Sequence, residues 1–215
     1  MVRVPEGAGR VSLIVLGLSS FLIALSGALV PGPLFTLTVS ESARRGASTG
    51  PLIILGHGIL EVLIVVLVLS GLSPFLTRDT TRHVVSLAGG GMLIVMGILL
   101  IRDIPKTRLD LSSGKQGKGV NLIVTGILGS ITNPYWVIWW ATIGLGYLVS
   151  SLRFGIMGVI IFFLGHISAD LAWYSLVSYA VSKGKRIMGE KGYHAVLLFC
   201  GVFLIFFGAW FIKAA

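Results

Sequence analysis

The chain is poor in charge. Asp, Glu, Lys and Arg make up only 12% of its 215 residues, about half the roughly 25% usual for a soluble domain. Acids are scarcest, 8 against 17 bases. A single cysteine, Cys200, excludes an intramolecular disulfide, a CxxC redox pair and a thiolate metal cluster. It falls in an apolar run and reads as a small buried residue. There is no serine, histidine and acid grouping and no metalloprotease motif to favour hydrolysis. Neither an enzyme nor a bound cofactor is expected.

What the chain does have is apolar length. It is 55% hydrophobic with a mean hydropathy of +0.95, and it carries 29 glycines. Small residues let membrane helices approach closely, so the composition is that of an all-α integral membrane protein. The net charge of +9 does not point to nucleic acid. The basic residues sit in short loops between apolar runs, where Lys and Arg set topology. Arg3 and Arg10 precede a run too long for a signal sequence, without a small-x-small cleavage site, so it reads as the first span.

Six spans are expected, near 11–40, 46–72, 84–101, 120–149, 154–181 and 194–212. The first and fourth are about 30 residues, roughly 45 Å of straight helix, more than an untilted crossing needs. Each holds a breaker, Pro31-Gly32-Pro33 in one and Asn133-Pro134 in the other. Proline removes a backbone donor and clashes with the preceding turn, so both spans should be broken within the membrane.

The second and fifth spans share a pattern. Leu55-Gly56-His57 is followed by Glu61, and Leu164-Gly165-His166 by Asp170. A four-residue step places histidine and acid on one helix face. The two patterns are offset by 109 residues. At an offset of 111, His83 matches His194, Gly90 matches Gly201 and Gly97 matches Gly208. The halves therefore repeat, as residues 1–101 and 120–215 joined by a basic Gly/Ser/Lys-rich loop, 102–119, that reads as a flexible linker. Three spans per repeat is an odd number, so the second half enters the membrane the opposite way round. Inverted repeats of this kind are common in secondary transporters, with sites near the midplane at discontinuous helices. Arg3, Arg10, Arg78, Arg82, Arg153 and Lys213 fall on one side and the other eleven bases on the opposite side. The richer side should be cytoplasmic, with both termini outside.

Glu61 and Asp170 are the only acids within the apolar spans. Ionisable groups at that depth are costly and usually serve a substrate or ion pathway. They suit a substrate ammonium, a proton or a metal ion, with His57 and His166 beside them. His83 and His194 open their spans and read as interfacial. The breaks at Pro31, Gly32, Pro33, Asn133 and Pro134 free backbone groups that only protein or a water-filled cavity satisfies. Half-helix N-termini attract a carboxylate, and freed carbonyls accept a cation. Trp136, Trp139, Trp140, Trp173 and Tyr174 could line a pathway, although aromatics in membrane spans more often pack or anchor.

Several of these segments together resemble the lysine-exporter (LysE/RhtB) family of small amino-acid efflux proteins. They are Pro31-Gly32-Pro33, Ser42-Ala43-Arg44-Arg45-Gly46, Gly56 with Glu61, Asn133-Pro134, and Asp170-Leu171-Ala172-Trp173-Tyr174. The likeness spans nearly the whole chain. It implies six spans, export of an amino acid or related small solute across the cell membrane, coupling to a proton or ion gradient, and room for a homodimer. Glu61 stands where the family commonly has Asp, and the Leu-Gly-His elements are not features of its best-known exporters. The leading reading is an exporter in which Glu61 and Asp170 take the ammonium or the coupling proton and the two breaks hold the carboxylate. The alternative is a divalent-metal exporter, with His57, Glu61, His166 and Asp170 as two nitrogen and two oxygen ligands.

Overall fold

The computed structural model describes residues 6–72, 78–106 and 121–214, and among these no strand occurs. Arg3 and most of the 102–119 linker lie outside the described residues. The helices are α1 (Glu6–Ala28), α2 (Pro33–Arg45), α3 (Thr49–Leu67), α4 (Asp79–Asp103), α5 (Leu122–Ile131), α6 (Pro134–Trp139), α7 (Leu145–Ser151) and α8 (Gly155–Ala214). A π-helical turn, Val68–Leu72, extends α3, and a second, Trp140–Gly144, joins α6 to α7. Gly189 interrupts α8 at φ 62°, ψ −178°. Gly155, at φ 63°, separates α7 from α8. Both conformations are ones that side chains with a Cβ rarely adopt.

Four stretches have the length and hydropathy to cross a membrane: Thr49–Gly71, His83–Lys106, Pro134–Gly184 and Gly189–Lys213. Leu13–Ala28 and Pro33–Arg45, bent by 76°, form a fifth if taken as one span. The chain is an all-α, multi-pass membrane protein. Where the sequence suggests spans at 120–149 and 154–181, the structure has the short α5 and then the Pro134–Gly184 stretch, with Gly155 inside it. At ten residues, α5 rises only about 15 Å and cannot cross alone.

Both expected helix breaks are present. Gly32 is extended at φ −125°, ψ −171°, and Asn133 lies at φ −95°, ψ 103°, each directly before a proline that opens the next helix. A residue before proline is pushed out of the helical region, and proline is well suited to the first helical position, where no partner for its nitrogen is needed. The two breaks face each other: a Cβ added to Gly32 would lie 3.5 Å from Asn133 Nδ2.

Helix faces divide cleanly. On α1, Leu16, Ser20, Ala24 and Ala28 are buried at four-residue steps, while Ile14, Leu18 and Leu22 point outward. On α3, His57, Glu61, Ile64 and Val65 are buried, while Leu55, Ile59, Val62 and Val66 are exposed. Outward apolar stripes of this kind suit a lipid surround.

Glycines fix the crossings. A Cβ on Gly56 would sit 2.0 Å from the carbonyl oxygen of Ile123 on α5, and one on Gly126 would sit 2.0 Å from that of Ile53 on α3. A Cβ on Gly165 of α8 would sit 2.5 Å from the carbonyl oxygen of Gly17 on α1. Gly56 and Gly165 are 109 residues apart, as are Gly17 and Gly126, so equivalent positions make equivalent crossings. The same holds where α4 meets the end of α8. Gly90 abuts the Gly208 carbonyl at 2.7 Å and Gly97 that of Gly201 at 2.6 Å, measured to an added Cβ. Such contacts let backbones approach in a bundle where apolar burial gives little net drive.

Candidate functional site

The two His–acid patterns converge on one buried cluster. On α3, a four-residue step stacks His57 above Glu61, and on α8 the same step stacks His166 above Asp170. The crossings at Gly56–α5 and Gly165–α1 bring both faces inward. One ligating atom from each of the four residues lies within 4.8 Å of the other three. All four residues are buried, Glu61 to 1% and Asp170 to 6% exposure.

Glu61 Oε1 is the hub. His166 Nε2 lies 2.8 Å away, Trp140 Nε1 donates at 3.2 Å and Trp136 Nε1 at 3.4 Å. His57 Nε2 stands at 3.2 Å. Charge-assisted contacts of this kind are among the stronger hydrogen bonds in proteins. Asp170 Oδ2 is less engaged, 3.4 Å from His166 Nε2 and 3.8 Å from His57 Nε2. Glu61 Oε2, Asp170 Oδ2 and His166 Nδ1 are buried without a hydrogen-bond partner.

The two histidines are held differently. His57 Nδ1 lies 2.7 Å from Ser130 Oγ, and the Ser130 hydroxyl donates to the Gly126 carbonyl at 2.7 Å. With that proton committed, His57 Nδ1 is the donor to Ser130, so a neutral His57 presents the lone pair of Nε2 to the acids. His166 instead packs among rings, with Trp139 at 4.7 Å, Trp140 at 5.8 Å and Phe162 at 6.1 Å between centroids.

A cavity of ≈ 50 Å³ opens on the cluster. That exceeds the roughly 10–15 Å³ a cavity needs to hold a water. His57, Glu61, His166 and Asp170 line it together with Asn133, Leu34, Tyr135, Trp136, Trp139 and Tyr174. A smaller neighbouring cavity is lined by Gly32, Pro33 and Asn133. Of the breaker residues, Asn133 thus borders the main cavity directly, Gly32 and Pro33 border its neighbour, and Pro31 and Pro134 line neither. Asn133 also caps α6, its Oδ1 accepting from Tyr135 N at 3.1 Å.

His83 and His194 stand outside both cavities. Trp173 does too, while Trp140 reaches the cluster as a donor to Glu61. Sequence reasoning missed Ser130. The one available signal was a hydroxyl three residues before a helix break in an otherwise apolar segment.

The family described as "LysE type translocator" matches residues 25–214. Among similar proteins, the "Chemotactic transduction protein ChpE" of Pseudomonas aeruginosa is 24% identical over 200 residues, covering 90% of this chain and 95% of its own. The "Putative amino acid efflux protein YcgF" of Bacillus subtilis is 24% identical over 195 residues, covering 90% and 93%. No solved structure matches.

Proposed function

The chain belongs to the LysE type translocator family, and from that premise we propose that it exports an amino acid or related small solute across the cytoplasmic membrane, driven by a proton or ion gradient. A translocator of this family moves a small molecule across a membrane; the name of the Bacillus relative supports an amino acid as that molecule. The observation that carries the reading is the cluster itself. Two acids and two imidazoles are buried in a cavity bordered by a helix break, where such groups are costly without a use.

Glu61 and Asp170 are proposed to take the substrate ammonium or the coupling proton. Asn133, with the break at Pro31, Gly32 and Pro33 opposite it and with Pro134 opening α6, is proposed to hold the carboxylate. Backbone amides freed at a helix start favour an anion. Residues 1–101 and 120–215 are proposed to act as inverted repeats, with the cluster at their interface and both termini outside the cell. Equivalent glycine crossings at Gly56/Gly126 and Gly165/Gly17 support that division.

The test is flux in proteoliposomes loaded with a panel of amino acids, comparing wild type with Glu61→Gln and Asp170→Asn. Loss of amino-acid flux in both variants, with monodisperse protein, is the expected result. Full flux in both variants sinks the assignment of the acids.

A further inference from the structure

We propose that His57, Glu61, His166 and Asp170 form a binding site for one divalent first-row transition-metal ion of the zinc or cobalt class. This goes beyond the solute reading and does not depend on it.

The first support is spacing. The four His-to-acid separations are 3.2 Å (His57–Glu61), 2.8 Å (His166–Glu61), 3.4 Å (His166–Asp170) and 3.8 Å (His57–Asp170). Nitrogen and oxygen ligands at about 2.0–2.2 Å from a tetrahedral ion lie about 3.3–3.5 Å from one another. Three of these four separations lie within about 0.3 Å of such an edge; the fourth, His166–Glu61, is a direct hydrogen bond that an ion would replace, on helices whose crossings are fixed by glycine. Two imidazoles with two carboxylates favour zinc, cobalt or manganese over calcium or magnesium, which prefer oxygen alone.

The second support is unspent valence. Asp170 Oδ2 and Glu61 Oε2 are buried without hydrogen-bond partners, and their side chains are 8% and 1% exposed. Buried polar atoms left unpaired are costly. Asp170 Oδ2 faces both imidazoles at distances longer than a good hydrogen bond, and an ion between them would engage it.

The third support is charge. As metal ligands both imidazoles are neutral and the two carboxylates bring −2, and among the described residues no Lys or Arg lines the cavity. A divalent ion makes the set neutral, which matters where solvation is weak. The tether on His57 completes the case. Its Nδ1 is held by Ser130 and its Nε2 is presented to the cluster, the outer-shell arrangement that orients metal-binding histidines. The cavity volume of ≈ 50 Å³ is ample for an ion and a water.

The experiment is a Co²⁺ titration of the purified full chain in detergent, followed by visible absorption and then by Zn²⁺ competition. The expected result is one Co²⁺ per chain with the intense visible bands of a four-coordinate ion, abolished by Zn²⁺. His57→Ala and Asp170→Asn should each lose the bands. Ser130→Ala, which leaves all four ligands in place, should weaken binding about 10- to 100-fold and guards against variants that fail to fold. His83→Ala and His194→Ala should bind as wild type does. No saturable binding overturns the proposal, as does a weak octahedral spectrum or binding that survives His57→Ala but is lost with His83→Ala or His194→Ala. Amino-acid flux is a separate readout. Ion binding without flux upholds this inference and sinks the solute reading, and flux without ion binding does the reverse.

Discussion

His166 Nε2 lies 2.8 Å from Glu61 Oε1, closer than either histidine lies to the acid on its own helix. The four-residue steps predict two within-helix pairs, yet His57–Glu61 stands at 3.2 Å and His166–Asp170 at 3.4 Å. The tightest contact thus ties α3 to α8, across the two halves of the chain. A buried cross-helix acid–imidazole bond resists sliding of one helix past the other, and breaking a buried pair by removing one partner costs about 3–5 kcal/mol.

The two acids should therefore differ in stability although both are expected to be needed for flux. Glu61 Oε1 has His166, Trp140, Trp136 and His57 around it, whereas Asp170 Oδ2 has His166 at 3.4 Å and His57 at 3.8 Å. Glu61→Gln should lower the thermal unfolding midpoint in detergent markedly more than Asp170→Asn. Equal shifts would mean that the hub role assigned to Glu61 is misplaced.

Trp140 offers a cleaner probe of the same hub. Its Nε1 donates to Glu61 at 3.2 Å, and the ring is fully buried. Trp140→Phe removes the donor and some ring volume, for an expected loss of about 1.5–3 kcal/mol from the charged hydrogen bond. Trp136→Phe, whose bond is longer at 3.4 Å, should cost less. The two chemical or thermal unfolding curves decide the order.

The glycine crossings make a prediction of opposite kinds at different sites. Gly56→Ala and Gly126→Ala each drive a methyl to 2.0 Å from a neighbouring carbonyl oxygen. Backbone cannot yield there as a flexible side chain would, so each should cost at least the roughly 1–3 kcal/mol typical of overpacking. Gly91→Ala, within α4 and with nothing within 4 Å of the added atom, should be neutral or stabilising by up to about 1 kcal/mol, the helical preference for alanine over glycine. Thermal melts of the three variants side by side provide the check.

Much of this was legible in the sequence because membrane burial leaves simple marks. An acid in an apolar run is conspicuous, so Glu61 and Asp170 stood out at once. Proline announces a helix break, so both breaks could be placed within a residue or two. The matched glycines hinted at crossings without saying which glycine meets which. Ser130 and Trp140 were harder to see. Serine in a membrane helix commonly bonds its own backbone, as Ser130 does to Gly126, and nothing local shows that His57 approaches from another helix. Trp140 looks like any buried aromatic until the partner of its Nε1 is known. Periodicity reports which face of a helix is buried; it does not report which residue of another helix meets that face.

Asn133 separates a structural role from a proposed binding role. Its Oδ1 caps α6 by accepting from Tyr135 N at 3.1 Å, and its side chain borders the cavity opposite Gly32. Asn133→Ala removes the cap and should cost about 0.5–2 kcal/mol, lowering both stability and flux. Asn133→Asp keeps an oxygen in the capping position, and a carboxylate near a helix start is favourable, which offsets part of the cost of a further acid beside Glu61 and Asp170. The added negative charge would, however, repel a substrate carboxylate at the same place. A cooperative melt of folded protein with strongly reduced amino-acid flux in Asn133→Asp is the expected result in a melt paired with a proteoliposome assay. Undiminished flux would leave Asn133 as a cap alone and move the carboxylate site elsewhere along the break.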